Sequence, residues 1–372
     1  MTHNNPFKYG ELVGHQTFCN RQKELKRIQQ GFSDGQNIVL ISPRRWGKSS
    51  LVAEAVSRYR GKYLLVSLDC FGLRSSDQFF EAYLQAILKA SSTKMQHAAD
   101  TLKKYVSSLI PFISFSAGEK DEIKISINLQ KRKPDVSLLD LPQKIARERK
   151  VKFIICIDEF QKIRDWDDSK EILELLRSHW QKHHDVCYCL YGSKRHLMTA
   201  LFADSSQPFY RFGETIFLTK IEKHAWAAFI QKHFEATGKK ITPELCERIT
   251  DLAQSHSYYV QYISRLCWAN THKVASANIL EQSWMEFLND HNSLFLKTTE
   301  KLTRFQVNYL KAVIAGERQF TSQRVSKEYD LGSPGNIKRI EKALEDNEIM
   351  DFLNGPELCE PYFGPLFKKT FY

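Results

Sequence analysis

Five short apolar runs punctuate the first 220 residues: 37–41 (NIVLI), 63–68 (YLLVSL), 151–157 (VKFIICI), 186–191 (VCYCLY) and 215–218 (TIFL). Most lack polar alternation, the pattern expected when helices cover both faces of a sheet. Stretches with helical spacing of apolar residues separate them, near 21–32, 49–59, 76–91, 138–149 and 169–183. Strands alternating with helices predict a parallel α/β sheet of five strands. Residues 112–129 break the pattern. FISFSAG and IKISINL alternate apolar and polar positions around the polar turn GEKDE, which predicts a β-hairpin inserted at about 110–130.

From about 221 the strands stop, and helical periodicity continues near 222–236, 242–254, 258–271 and 278–293. Thr242 followed by Pro243 is a helix-start signal. Three more helical patterns follow (303–315, 321–329, 334–346), then EIMDFL and ELCEPYF around Asn354-Gly355, a strong hairpin signal. Three helices and a terminal hairpin are the order of a winged helix. The pattern divides the chain into an α/β domain over 1–220, a helical lid over 221–296 and a winged helix over 297–372. That agrees with about 100–200 residues per domain.

Composition narrows the class. With 42% hydrophobic and 26% charged residues the chain is an ordinary globular one, which excludes a disordered, fibrous or small disulfide-stapled protein. No apolar run approaches the roughly 18–20 residues of a membrane helix. The opening MTHNNPFKYGELVGHQ lacks the charged-then-apolar order of a secretion signal. The eight cysteines are scattered, and Cys156, Cys187 and Cys189 fall in apolar runs, as reduced thiols of a cytoplasmic protein would. The net charge of +11 is uneven: residues 1–150 hold 25 Lys+Arg against 14 Asp+Glu, and the rest is near neutral. Anionic partners, nucleotide or nucleic acid, come into view, and charge alone does not choose between them.

Residues 37–52 carry the first chemistry. The strand runs through Ser42, Pro43, Arg44, Arg45 and Trp46 into Gly47-Lys48-Ser49-Ser50, where a helix opens. Backbone N–H groups and the positive helix end cradle phosphate oxygens in such a turn. Lys48 would reach the β- and γ-phosphates, Ser49 would bind Mg²⁺, and Gly47 would let the backbone approach. The usual pattern G-x-x-x-x-G-K-[ST] is altered at its first position, where Ser42 replaces glycine ahead of Pro43. A positive φ there would strain serine and weaken affinity. Arg44 and Arg45 either add charge beside the phosphates or are solvated loop residues. The second chemistry ends the run 151–157, in Asp158 and Glu159. Ligands of open α/β sheets sit at such strand ends. Asp158 would hold the Mg²⁺ shell, and Glu159 would orient and deprotonate the attacking water.

These motifs and their order resemble the archaeal-type P-loop ATPase family, relatives of the STAND and AAA+ ATPases. Phe18-Cys-Asn-Arg-Gln-Lys-Glu-Leu25 resembles its F-x-[GND]-R-x-x-E-L opening, and Pro43-Arg-Arg-Trp-Gly-Lys-Ser-Ser-Leu51 its phosphate loop. Ile157-Asp-Glu-Phe-Gln161 resembles its acidic strand end, and Tyr191-Gly-Ser193 the GS closing its fourth core strand. Pro208-Phe-Tyr-Arg211 is similar to its P-[LF]-Y-x-R stretch, with the arginine one place early. His256-Ser-Tyr-Tyr-Val-Gln261 is similar to its G-x-P-Y-Y-x-Q helix start, with serines at 255 and 257 where glycine and proline are usual.

The resemblance implies an ASCE/AAA+-like P-loop fold and ATP rather than GTP. It implies Ser193 as a polar sensor and Arg211 as an arginine that stabilises transition-state charge, often in a neighbouring subunit, which would require a homo-oligomer. It places Arg21 near the nucleotide base. The expected activity is slow Mg²⁺-dependent hydrolysis of ATP to ADP and phosphate, with the nucleotide between core and lid, serving as a switch toward a protein partner. Two alternatives stay open. One is a DNA-handling ATPase resembling replication initiators, using the winged helix, whose third helix holds Lys338, Arg339 and Lys342 against Glu341, Glu345 and Asp346. The other is a nucleotide-binding module with little turnover. His179 and His183, with Cys187 and Cys189 following, have metal-like spacing but read better as a helix end running into a buried strand. Trp226, Phe229, Tyr258, Tyr259, Tyr262 and Trp268 read as helical core.

Overall fold

The structure is a computed structural model that describes residues 4–12, 18–91, 104, 113–117, 123–127 and 138–372, with only the backbone of 113–117 and 123–127. The chain forms two compact units: Arg21–Thr219, and Met1–Asn20 together with Lys220–Tyr372.

The first unit is α/β. Its elements are α1 (Gln22–Asp34), β1 (Ile38–Ile41), α2 (Lys48–Ser57), β2 (Tyr63–Asp69), α3 (Ser76–Ser91), β3 (Ile113–Ala117), β4 (Ile123–Ile127), α4 (Leu141–Arg149), β5 (Lys152–Asp158), a 3-10 turn (Phe160–Asp165), α5 (Ser169–Trp180), β6 (Val186–Gly192), α6 (Arg195–Ala203) and β7 (Glu214–Phe217). Five strands form one parallel sheet in the order β2-β5-β6-β1-β7. Every residue of β1 and β6 is buried, which explains why these runs carry no polar alternation. β3 and β4 pair antiparallel as the separate hairpin, and its expected turn at 118–122 lies outside the described residues. Trp180, at the end of α5, stacks on Tyr188 of β6 at 4.3 Å between ring centroids, within a core rich in aromatic side chains.

Parallel register sets the functional edge. Asp69 pairs with Asp158 across β2 and β5, and Ile41 pairs with Gly192 across β1 and β6. The loop after β1 and the ends of β5 and β6 therefore emerge at the same, carboxyl-terminal edge of the sheet. β6 lies between the strand of the phosphate loop and the strand of the acidic pair. Two pieces of this edge have no counterpart in the sequence pattern: the 3-10 turn and α6. α6 is nine residues long and opens at Lys194 without a side-chain cap, so it lacks a start signal.

The second unit is mainly helical: α7 (Lys223–Glu235), α8 (Pro243–Leu252), α9 (Ser257–Asn270), α10 (Ala277–Thr299), α11 (Arg304–Ile314), α12 (Gln323–Glu328), α13 (Pro334–Asp346), the strands β8 (Met350–Asp351) and β9 (Glu357–Leu358), and α14 (Phe363–Phe371). Thr242, Ser276, Thr303, Ser322 and Ser333 each cap the helix that follows by accepting a backbone N–H. α10 runs past the expected 293 to Thr299 because Phe295 and Thr299 continue its buried stripe. β8 and β9 form an antiparallel ladder of two residues each. The expected second strand stops early because Pro361 offers no N–H to a ladder. The chain turns instead into α14, which buries Phe363, Leu366 and Phe367 at helical spacing.

The amino-terminal segment belongs to this second core. Phe7 is fully buried against Phe229 and Phe234, and Tyr9 stacks on Tyr262 at 4.2 Å. Trp226 and Tyr259 are buried in the same cluster. Among the described residues, no helix is long and apolar enough to cross a membrane.

Candidate functional site

β1 delivers the chain at Ile41 into the loop, and α2 takes it up at Lys48. Arg45 (φ 64°) and Gly47 (φ 89°) both have positive φ, which winds the loop tightly under the helix start. Gly47 caps α2 with no side-chain hydrogen bond, unlike the serine and threonine caps of the second unit. A Cβ on Gly47 would meet nothing within 4 Å, so glycine is required there for its conformation and not for space. Ser42 does not have a positive φ, consistent with the extended bias ahead of Pro43. It is fully buried, with its hydroxyl donating to the Pro43 carbonyl at 3.0 Å and its N–H to Gly192 at 3.4 Å. Glycine's freedom is therefore not used at this position.

The loop and the acidic pair, distant in sequence, meet directly. The Ser49 hydroxyl donates to Asp158 Oδ2 at 2.8 Å. Lys48 Nζ lies 2.9 Å from Glu159 Oε1 and 3.6 Å from Asp158 Oδ1. Glu159 itself has a left-handed backbone (φ 51°), which turns the chain out of β5 and into the 3-10 turn. Its other oxygen, Oε2, accepts from Ser193 Oγ at 2.8 Å and from Gln161 Nε2 at 2.6 Å. Ser193 also stands 3.4 Å from Arg44 Nε. Lys48, Glu159, Ser193 and Gln161 are all buried.

This environment splits the two carboxyls. Burial raises Asp158 above the ordinary carboxylate range and repulsion from Glu159 adds to it, only partly opposed by Lys48 and the Ser49 hydroxyl. Burial pushes Glu159 upward too, but Lys48, with the hydrogen bonds from Lys48, Ser193 and Gln161, outweighs it and holds the group below that range. Glu159 is thus the ionised, acceptor-rich member. The Ser49 hydroxyl and the Asp158 carboxylate are a pair of hard oxygen donors. Mg²⁺ usually takes one or two such protein ligands and completes its shell with phosphate and water, so the residues present fit that ion.

The remaining sequence candidates divide. Pro43, Trp46 and Ser50 lie in or beside the loop, and Arg44 and Arg45 are exposed on it. Arg21 is 5% exposed and braces the loop from behind, donating to the carbonyls of Trp46 (3.4 Å) and Thr219 (2.7 Å) and to Glu24 (3.0 Å). Arg211 is not brought to the carboxylates. It is exposed, its guanidinium lies over the Tyr210 ring 5.0 Å from the centroid, and it makes none of the contacts of Glu159. His179 and His183 share Asp140 Oδ1 at 2.9 and 3.0 Å, and the second His183 nitrogen meets Tyr188 OH at 2.8 Å. Both ring nitrogens of His183 are thereby engaged by protein groups. Gln161 appears in the sequence only as the end of a motif. Its bond to Glu159 could have been suspected from the two-residue offset, but the 3-10 turn that directs it leaves no periodic signature.

A family described as an ATPase domain predominantly from Archaea matches residues 18–263. Among curated proteins, no sequence matches the chain. Among solved structures, the Walker-type ATPase of Pyrococcus abyssi is similar at a TM-score of 0.70 and 14% identity, covering 98% of this chain and 99% of that one. The ORC2 protein of Aeropyrum pernix, solved in ADPNP and ADP complexes, is similar at a TM-score of 0.59 and 13% identity, covering 98% of each chain. Both likenesses concern the P-loop fold.

Proposed function

Because the chain belongs to the family of ATPase domains found predominantly in Archaea, we propose that it binds ATP with Mg²⁺ at the loop 42–50 and hydrolyses it slowly to ADP and phosphate. The observation that carries this reading is the direct join between loop and acidic pair: Lys48 on Glu159 at 2.9 Å and Ser49 on Asp158 at 2.8 Å. Nothing in folding alone asks for a buried carboxylate, a half-buried one beside it and a buried lysine at a sheet edge, since burying charge is costly.

In this reading the amides around Gly47 and the start of α2 receive the phosphates. Lys48 exchanges Glu159 for a phosphate oxygen. Ser49 and Asp158 hold the Mg²⁺, which when bound neutralises charge on the β- and γ-phosphates. Glu159 accepts a proton from the attacking water as its oxygen bonds the γ-phosphorus and the bridging bond to ADP breaks. Ser193 keeps the Glu159 carboxylate in place. Because Lys48 changes partner when phosphate arrives, the acidic pair senses nucleotide, which supports the role of a nucleotide-gated switch. Arg211, which meets no carboxylate among the described residues, is assigned to a neighbouring copy's nucleotide.

The test is phosphate release from Mg·ATP by the full chain, with ATP affinity measured beside it. Lys48→Ala is expected to lose ATP affinity, and Glu159→Gln to keep affinity while losing turnover. Unchanged turnover in Glu159→Gln would remove the hydrolytic assignment, and tight binding without turnover in the parent chain would leave a nucleotide-binding module.

A second reading, DNA handling, is favoured by one observation. Lys338, Arg339 and Lys342 are exposed on α13, the third of the helices preceding the β8–β9 ladder, in what we propose is a winged helix.

A further inference from the structure

Gln161 is 1% exposed, and its amide is committed in one direction. Nε2 donates to Glu159 Oε2 at 2.6 Å, while its own Oε1 is buried with no hydrogen-bond partner among the described residues. The reverse orientation would set a carbonyl oxygen against a carboxylate oxygen, so the amide keeps an unsatisfied acceptor in order to donate to Glu159. The space for it is made by Gly192 at the end of β6. A Cβ there would lie 1.8 Å from Gln161 Oε1, 2.9 Å from its Cδ and 2.9 Å from Met198 Sδ. Gly192 has no positive φ, so it is glycine for room, and the occupant of that room is the Gln161 amide.

We propose that Gln161 is a positioning residue, which with Ser193 pins Oε2 of Glu159 so that Oε1 is the oxygen presented to the attacking water. The inference rests on the hydrolytic reading above. Two donors occupy Oε2, and among the described residues Oε1 carries Lys48 alone. When Lys48 turns to phosphate, Oε1 becomes the open oxygen of a carboxylate that cannot rotate. The water proton passes to Oε1 as the new P–O bond forms and the bridging P–O bond breaks toward ADP. Gly192 acts one step further back, by keeping the amide of Gln161 in place.

The experiment uses the full chain, Mg·ATP, and calorimetric ATP affinity alongside turnover, for Gln161→Met, Glu159→Gln and the double variant. Gln161→Met keeps side-chain length without the donor. Its expected effect is a fall in kcat of about tenfold or more, the scale for losing a group that orients another, with ATP affinity within twofold of the parent. In the Glu159→Gln background it is expected to change turnover no further, because it acts through Glu159. Gly192→Ala should reproduce the kcat loss with Gln161 intact. If Gln161→Met does not fold, Gln161→Asn, which keeps an amide one methylene too short to reach Oε2, is read by the same two measurements. Unchanged kcat, an equal loss of affinity and kcat, or an additive loss in the double variant would overturn the proposal. Full turnover in Glu159→Gln alone would instead remove the reading beneath it.

Discussion

Lys48 answers to two partners. In the structure it neutralises Glu159 and Asp158 from a buried position, and in the proposed reaction it must face phosphate. Its removal therefore costs twice. Lys48→Ala leaves the buried Glu159 carboxylate and the half-buried Asp158 without their cation, a loss on the order of 3 kcal/mol in stability, and thermal unfolding without nucleotide should register it. Asp158 predicts the opposite. Its folded pKa is raised, so its ionised form destabilises the fold above that pKa and the penalty fades as pH falls through it. Asp158→Asn should raise the unfolding midpoint at pH 7 by about 2 °C while abolishing Mg²⁺-linked nucleotide affinity. Glu159 has a lowered folded pKa, so its contribution to stability is complete above the unfolded carboxylate range and is lost as pH falls through the lowered value. Much of this site was legible from residue types. Gly47-Lys48-Ser49 and Asp158-Glu159 named themselves because phosphate and Mg²⁺ chemistry demands those groups beside strand ends. Gln161 and Gly192 did not, since an amide and a glycine have no chemistry of their own until the fold sets one against the other.

The elements were readable where burial imposes a period. β5 and β6 are buried along nearly their whole length and stood out as unbroken apolar runs. α6 and α14 did not stand out, the first lacking a cap and the second hidden behind Pro361 in a segment that alternates like a strand. Where α4, α5 and β6 meet, Asp140, His179, His183 and Tyr188 form a chain of hydrogen bonds with Arg147 nearby. Burial lowers His183 despite the Asp140 carboxylate. A histidine kept neutral in the fold lets the unfolded chain take the proton first, so stability should decline as pH drops below the ordinary histidine value of 6.5. His183→Gln should flatten that decline below about pH 6.5, as read from unfolding midpoints across pH. On α13, replacing Lys338, Arg339 and Lys342 with alanine should reduce the salt slope of any DNA affinity by about 2.7, at 0.9 per phosphate contact. An unchanged slope would place DNA contact elsewhere.

At the scale of the molecule, the α/β unit is set into the chain of the helical one. Residues up to Asn20 and from Lys220 onward share a core, and Phe7 fills part of it. Phe7→Ala should cost about 3 kcal/mol or more in the helical unit, with little effect on nucleotide affinity, which two-probe unfolding can separate. If Arg211 serves a second copy, mixing Lys48→Ala with Arg211→Ala should recover turnover that neither has alone, and specific activity should climb with protein concentration.

The inserted arrangement has a temporal side. During synthesis, residues 5–9 leave the ribosome long before Phe229, Phe234 and Tyr262 exist to receive them. The α/β unit, whose two ends Arg21 clasps through the Thr219 carbonyl at 2.7 Å, can close in the interval. The early segment then has to be recovered across a loop already shortened by that closure, which lowers the entropic cost of a pairing otherwise more than two hundred residues apart.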